Sequence, residues 1–335
     1  MTLTDNATPF IPAVLRAAPA VVARYDVGAD AAVTLLHQSE NTMLLVDDAS
    51  RGHKLVLRVH SQRLTYHTAA SIASELQWMR ALARDSDVVV PVPMAARDGS
   101  LVQTMTAPDL DCPRHAVMFT FLAGAEPSED DLLGMFPVLG AVTARMHRHA
   151  RRWQRPASFT RHHWDGAAVL GDAPLWGRWR EGMGVGPAER AVLDRLAATL
   201  GRRLEKLGRA PEIYGLVHAD MRLANLLVEG TSPKVIDFDD CGFSWFLYDL
   251  ATAVSFLQHK PFADALIAAW LDGYRRVEAV PPVLEAEIPT IVLLRRMAEI
   301  AWLGTRRHLA FAQSLGPAFT TDSCRLAEDY LVRFG

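Results

Sequence analysis

The most informative part of the chain contains His218-Ala219-Asp220-Met221-Arg222-Leu223-Ala224-Asn225 and, further on, Val235-Ile236-Asp237-Phe238-Asp239-Asp240. Apolar residues flank both segments, and Gly230-Thr231-Ser232-Pro233 between them is typical of a hairpin turn. The turn is expected to bring Asn225 and Asp237 close together. A carboxamide and a carboxylate suit Mg²⁺, which prefers oxygen ligands and takes others from a bound triphosphate. The sequence therefore predicts a phosphoryl-transfer centre with Asn225 and Asp237 as metal ligands.

The pattern H-x-D-x-x-x-x-N followed by I-D-F-D-D resembles the aminoglycoside phosphotransferase and choline kinase-like superfamily. Homoserine, hydroxylysine and bacterial stress-response kinases belong to the same group. The resemblance implies an α+β, bilobal protein-kinase-like fold. The small N-terminal lobe would have an antiparallel sheet plus one helix, and the larger C-terminal lobe would be mostly helical. ATP and Mg²⁺ are the implied cofactors.

The same resemblance implies catalytic roles for Asp220 and Arg222. Asp220 would face the acceptor hydroxyl. Arg222 stands where protein kinases carry a lysine in this loop, and it is expected to stabilise charge on the transferred phosphoryl group. Asp249, within Tyr248-Asp249-Leu250-Ala251, is expected to brace the catalytic loop. Two roles stay open for Asp239, which either contacts metal-bound water or only shapes the site.

A buried ion pair is predicted in the N-terminal half, between Arg58 and Glu75. Residues 54–60 alternate as in a strand, and residues 68–83 have the apolar spacing of a helix, with Glu75 beside the apolar stripe. A desolvated carboxylate costs several kcal/mol without a partner, so a nearby cation is expected. The superfamily usually carries lysine or arginine at this strand position to bind nucleotide phosphates. An ordinary surface ion pair is the alternative.

Three further residues are predicted to contact the nucleotide. The segment expected to cover the phosphates, residues 35–46, lacks the glycines of protein kinases. It resembles its family in having a polar S-x-N turn, which makes Ser39 and Asn41 candidates. Residues 116–122 read as a strand. In a bilobal kinase such a strand leads into the hinge, whose backbone groups contact adenine, so the resemblance implies a hinge at residues 120–124 with Phe121 as a nucleotide contact; a plain core strand followed by a turn is the alternative. Residues 88–93 read as another strand.

Length and composition limit the possible classes of protein. The chain has 335 residues, half of them apolar, and is long enough for two domains. We predict an N-terminal nucleotide-binding lobe at 1–121, with an extension over about 1–25, and a catalytic and acceptor-binding lobe at 122–335. The net charge of −3 argues against a nucleic-acid partner. Without an apolar span or signal sequence the protein is expected to be cytoplasmic and not membrane-bound. Three cysteines without paired spacing fit free thiols.

Other clusters carry weaker hypotheses. His147 with His149, and His162 with His163, lack the spacing and partners of a zinc site, so structural roles are favoured. Trp164, Trp176 and Trp179 either line an acceptor pocket or collapse onto the protein, and the second is favoured. Five residues with helical spacing are expected to face the active cleft from the C-terminal side: Arg295, Arg296, Glu299, Trp302 and Arg306.

The favoured function is an ATP- and Mg²⁺-dependent kinase acting on a hydroxyl of a small metabolite. The acceptor would be an amino alcohol, a hydroxy amino acid, a sugar or an aminoglycoside. A bacterial Ser/Thr protein kinase is the first alternative, although the short connection from Asp239 to Asp249 leaves no room for a long activation segment. A nucleotide-binding regulator without turnover is the second. The oligomeric state is left open.

Overall fold

The computed structural model describes residues 10–61, 67–230 and 232–335, without the side chain of Glu129. The chain forms two compact units. The first contains the described residues up to Asp85, together with Val89–Ala123 and Pro156–Thr160. The second contains Ser86–Val88, Gly124–Arg155 and Arg161–Gly335.

An antiparallel sheet forms the centre of the first unit. Its strands in chain order are β1 (Ala32–Gln38), β2 (Thr42–Asp48), β3 (His53–Val59), β4 (Pro93–Met94), β5 (Gln103–Met105) and β6 (Arg114–Thr120). The strands lie in the order β1-β2-β3-β6-β4, and β5 pairs with β6. Alternate residues of β2 are buried, as expected for a strand with one face against a core.

Two helices belong to the first unit, α1 (Phe10–Val22) and α2 (Ala69–Asp85). Leu55, Leu57 and Val59 of β3 point toward α1 and share a core with its apolar side chains. Arg58 lies on the other face of the same strand, where it contacts α2. The sheet is therefore covered on both faces, and α1 is a helix beyond the single helix expected for this lobe.

The second unit is mostly helical. Its helices are α3 (Leu132–Arg152), α4 (Gly166–Leu170), α5 (Pro187–Leu207), α6 (Tyr248–Ala253), α7 (Ala263–Arg275), α8 (Pro282–Glu285), α9 (Ile288–Thr305) and α10 (Ala310–Phe334). Two antiparallel pairs of short strands accompany them: β7 (Tyr214–Val217) with β10 (Gly242–Trp245), and β8 (Leu226–Glu229) with β9 (Ser232–Val235). Helix α9 is buried on nearly all sides.

Helices α3 and α7 cross at two glycines. A methyl group on Gly140 would lie 2.0 Å from the carbonyl oxygen of Trp270, and one on Gly273 would lie 1.9 Å from that of Pro137. Only glycine allows such close approach of two helix backbones. The crossing fixes the position of α3, which carries His147.

The three cysteines have free thiols. Cys112 lies in the first unit and Cys324 in the second, both half-buried, whereas Cys241 is fully buried. Among the described residues, no helix is long and apolar enough to span a bilayer.

Candidate active site

The predicted catalytic loop connects β7 to β8. The predicted metal ligands both lie at the open base of the β8–β9 hairpin, Asn225 just before β8 and Asp237 shortly after β9. Leu226 pairs with Val235 at the base of the hairpin. One step further, the Ile236 amide donates to the carbonyl oxygen of Asn225 at 3.0 Å. Asn225 and Asp237 therefore leave the hairpin side by side. Thr231 of the predicted turn lies outside the described residues.

Asp249, at the start of α6, holds the catalytic loop through hydrogen bonds to the loop backbone. Its Oδ1 accepts the Ala219 amide at 2.7 Å, and its Oδ2 accepts the His218 amide at 3.1 Å. Ala219 has a φ of 66°, a left-handed conformation that costs free energy for a residue with a side chain. The Met221 amide donates to Thr252 Oγ1 at 2.8 Å. Helix α6 thus fixes the backbone on both sides of Asp220, as expected for Asp249.

A buried histidine completes this support. His147 Nε2 lies 2.9 Å from Asp249 Oδ2, and its Nδ1 lies 3.1 Å from the Tyr274 hydroxyl. Burial lowers the pKa of His147, and this effect outweighs the opposing attraction of Asp249. His147 is therefore neutral at pH 7. The ring orients the Asp249 carboxylate, which gives His147 a structural role.

The Asp220 carboxylate is held by three side chains. Arg222 Nε donates to Oδ1 at 3.1 Å, and Arg295 Nη2 from α9 donates to the same oxygen at 3.0 Å. The Asn225 amide Nδ2 donates to Oδ2 at 2.8 Å. Burial raises the pKa of Asp220. The positive charges of Arg222 and Arg295 lower the pKa by more than burial raises it, so the net shift is downward. The carboxylate is ionised at neutral pH and can accept a hydrogen bond from a hydroxyl group.

The orientation of Asn225 fits a metal ligand. Its Nδ2 donates to both the carbonyl oxygen and Oδ2 of Asp220, at 2.8 Å each, so this end of the carboxamide must be the nitrogen. The carboxamide oxygen therefore points away from Asp220 and is the atom suited to a cation. Asp237 is exposed and has a φ of 65°. Asn225 and Asp237 would each supply one oxygen to a bound Mg²⁺, which usually takes its remaining ligands from water and phosphate.

No group of three or more His, Cys, Asp or Glu residues arranged for a metal ion occurs within the described part of the chain. A cation at Asn225 and Asp237 would thus depend on oxygens supplied by the nucleotide.

The acidic segment after β9 is anchored through its backbone. Arg161 donates to the carbonyl oxygens of Asp239 and Cys241, and Trp164 Nε1 donates to that of Asp240 at 2.7 Å. Asp239 itself is 9% exposed. These contacts fix the segment that follows Asp237, and the role of the Asp239 carboxylate stays a prediction.

In the first unit, Arg58 and Glu75 form the expected ion pair. Arg58 Nη1 lies 2.8 Å from Glu75 Oε1, and Nη2 donates to Oε2 at 2.9 Å. The side chains are 3% and 0% exposed, which excludes an ordinary surface ion pair. Arg58 Nε also donates to His60 Nε2 at 3.1 Å, and the guanidinium lies over the Phe119 ring. The arginine is rigidly held, as a phosphate-binding cation would need to be.

The other predicted nucleotide contacts lie in the same unit. Ser39 and Asn41 belong to the tight connection between β1 and β2, where the Ser39 amide donates to the Asn41 carbonyl oxygen. Ser39 is exposed, whereas Asn41 is buried and its Oδ1 accepts the Ser61 amide at 3.2 Å. Phe121 directly follows β6 and its amide donates to the carbonyl oxygen of Lys54. Their roles toward a nucleotide stay predictions.

The tryptophan and arginine clusters separate into distinct roles. Trp164, Trp176 and Trp179 are all buried, which favours aromatic collapse.

Arg295 reaches Asp220, whereas Arg296 donates to Ser323 Oγ at 2.7 Å and to the Phe319 carbonyl oxygen at 3.1 Å. Sequence patterns alone did not indicate the contacts of His147 and Arg161, and for Arg295 they predicted only that it faces the active cleft. In each case the partner lies far away along the chain.

Comparisons with known proteins identify the family and the fold of the chain. Residues 32–280 match the model of the phosphotransferase enzyme family. A solved structure of a microcompartment-associated aminopropanol kinase is 46% identical, with a TM-score of 0.85, covering 95% of this chain and 98% of that one. The predicted α+β kinase-like fold is thereby confirmed.

Two curated relatives are also kinases. Amicoumacin kinase of Bacillus subtilis is 25% identical over 67% of this chain, and homoserine kinase of Rhodospirillum rubrum is 28% identical over 66%. The matched regions span 66% and 64% of those two proteins, just under two thirds of their length. Because the family model covers most of the residues, the chain belongs to the phosphotransferase enzyme family.

Proposed function

We propose that this protein is an ATP- and Mg²⁺-dependent kinase that phosphorylates the hydroxyl group of a small amino alcohol. The main support is the arrangement around Asp220, where an ionised carboxylate is fixed beside the paired ends of a hairpin that carry Asn225 and Asp237. The aminopropanol kinase with 46% identity supports an amino alcohol as the acceptor.

Each residue has a defined part in this proposal. Asp220 accepts a hydrogen bond from the acceptor hydroxyl, orients its oxygen toward the phosphoryl group and takes its proton. Arg222 stabilises the charge on the transferred group. Asn225 and Asp237 hold Mg²⁺, which when bound neutralises charge on the phosphates. Arg58, fixed by Glu75, binds the nucleotide phosphates, with Ser39, Asn41 and Phe121 as further contacts.

The segment between the acidic cluster and α6 supports a small-molecule acceptor over a protein. Strand β10 pairs with β7 over Gly242–Trp245, and α6 begins at Tyr248. The residues that form an extended peptide-docking segment in typical protein kinases are here a short strand and a turn. The retention of Asp220, Asn225 and Asp237 argues against a regulator without turnover.

An ADP-release assay tests the proposed reaction. We expect turnover with amino alcohols to exceed that with hydroxy amino acids, sugars and aminoglycosides, and to require Mg²⁺. Asp220→Ala should abolish transfer while leaving the far-ultraviolet circular dichroism unchanged. Retained turnover in this variant would contradict the assignment of Asp220, and phosphate transfer only to protein substrates would favour the protein-kinase alternative.

Metal binding is tested without reference to turnover. Mg²⁺ with a non-hydrolysable ATP analogue at about 100 times its Kd should stabilise the wild-type protein by about 2.7 kcal/mol. Asp237→Ala should remove most of this thermal shift. Glu229→Ala is the matched control, because Glu229 lies in the same hairpin and its side chain, which pairs with Lys234, is 62% exposed. An undiminished shift in Asp237→Ala would exclude Asp237 as a ligand.

A further inference from the structure

We propose that Arg295 is a positioning residue for phosphoryl transfer, which keeps the Asp220 carboxylate in place when Arg222 moves toward the transferred phosphoryl group. The inference rests on the proposed function and extends it to α9. It assigns different tasks to the two arginines that contact Asp220.

Arg295 is fixed at several points. Its Nε donates to Ser255 Oγ at 3.0 Å, and its guanidinium lies over the Trp176 ring, 4.7 Å from the centroid. Its Nη2 donates to Asp220 Oδ1 at 3.0 Å. The side chain is 2% exposed and projects from a helix that is itself buried. An arginine held in this way cannot follow a substrate, but it can define where its partner carboxylate lies.

Arg222 is more exposed than Arg295 and lies in the catalytic loop itself. Its side chain is 36% exposed, and it belongs to the same loop as Asp220, two residues further along. Its Nε and Nη2 contact the Asp220 oxygens at 3.1 to 3.3 Å. Because it is half in solvent, Arg222 can exchange Asp220 for a phosphoryl group at small cost. Without Arg295, this exchange would leave Asp220 Oδ1 without its charged partners.

Arg295 and Asp220 belong to a buried network of charges. Arg295 Nε lies 3.4 Å from Glu299 Oε1, and Gln258 Nε2 donates to both Glu299 oxygens at 3.0 and 2.9 Å. Arg296 Nη1 donates to Gln258 Oε1 at 2.8 Å. The two arginines balance Glu299 and Asp220, so the buried network is neutral only when Asp220 is included. Removal of one member leaves an uncompensated buried charge.

Any change at Arg295 is therefore expected to reduce stability, so stability alone cannot reveal a positioning role. Arg296 provides the matched control, because it follows Arg295 on α9, is fully buried and belongs to the same network but does not contact Asp220. The test compares Arg295→Met and Arg295→Lys with Arg296→Met and Arg296→Lys, at a temperature where all four variants are folded.

Steady-state kinetics separate the two roles. A misplacement of about 1 Å can lower a rate on the order of 100-fold, and we expect Arg295→Met to lower kcat by about this factor. Its KM values for ATP and for the amino alcohol should stay within about threefold, because ground-state binding does not need Arg295. Arg295→Lys should retain at least about a tenth of the wild-type kcat, because the lysine ammonium group can still contact Asp220. Both Arg296 variants should retain kcat within about threefold.

A thermodynamic cycle adds a readout that does not depend on turnover. Thermal unfolding of Asp220→Asn, Arg295→Met and the double variant should be non-additive, since the two side chains share one contact. Asp220→Asn combined with Arg296→Met should show a clearly smaller coupling, because Arg296 is linked to Asp220 only through Gln258, Glu299 and Arg295. Additive effects in the first pair would overturn the inference.

The possible failures can be told apart. If the wild-type protein releases no ADP with any acceptor, the proposed function is wrong and the role of Arg295 in transfer falls with it. If the wild-type protein is active and Arg295→Met loses no more kcat than Arg296→Met, only the positioning inference is wrong.

Discussion

At the residue level, Asp249 holds the catalytic loop through two hydrogen bonds and is itself oriented by a third. Both of its oxygens accept loop amides, and His147 contacts one of them, all without exposure to solvent. In Asp249→Asn one oxygen becomes an amide group that faces an N–H donor. We expect the free energy of unfolding to fall by roughly 2–4 kcal/mol and kcat to fall strongly, because Ala219 loses support for its left-handed backbone.

Urea unfolding and ADP release measure these two effects. Asp194→Asn is the control, since Asp194 pairs with Arg180 at the surface with a 44% exposed side chain. That variant should change stability by less than about 1 kcal/mol. Equal effects of the two substitutions would contradict the role given to Asp249.

The sequence predicts some residues of the site better than others. Asp220, Asn225 and Asp237 are recognisable because one loop and one hairpin place them together. His147 and Asp249 are 102 positions apart, and Arg295 and Asp220 are 75 apart. Contacts over such separations depend on how α3, α6 and α9 pack, which no local pattern specifies.

At the level of elements, the crossing of α3 and α7 depends on its glycines. Gly273→Ala would place a methyl group within 1.9 Å of a backbone oxygen, so the helices must separate. We expect a loss of roughly 1–3 kcal/mol, measured by chemical denaturation. Gly201→Ala in α5 meets nothing within 4 Å and should stabilise the protein by roughly 0.5–1 kcal/mol. A neutral Gly273→Ala would show that the crossing is looser than described.

Prolines explain where the predicted elements differ from the structure. Helix α1 continues through Pro19, because its buried residues pack against the sheet and offset the lost hydrogen bond. The strand predicted at 88–93 is reduced to Pro93–Met94, since Pro91 and Pro93 provide no amide donors for a ladder. In contrast, β3 and α2 agree closely with their predictions, because their periodic patterns are clear.

For the whole molecule, four histidines whose pKa values are lowered in the folded protein predict the pH dependence of stability. Desolvation, complete for His147 and partial for the other three, lowers the pKa values of His115, His147, His163 and His259 from 6.5. The unfolded chain therefore binds more protons as the pH falls through 6.5, which favours unfolding. The urea midpoint should be lower at pH 5.5 than at pH 7.5, and His147→Gln should reduce the difference. A midpoint that rises on acidification would contradict this prediction.

The cysteines offer two thiols of different reactivity for labelling with dyes. Each compact unit has one half-buried thiol, Cys112 in the first and Cys324 in the second, while Cys241 is shielded. Burial and the carboxylates of Glu189 and Glu328 raise the pKa of Cys324, which disfavours its reactive thiolate. A maleimide dye should therefore attach to Cys112 first and a second colour to Cys324 later. The two dyes would then report on each compact unit separately, without any engineered attachment site.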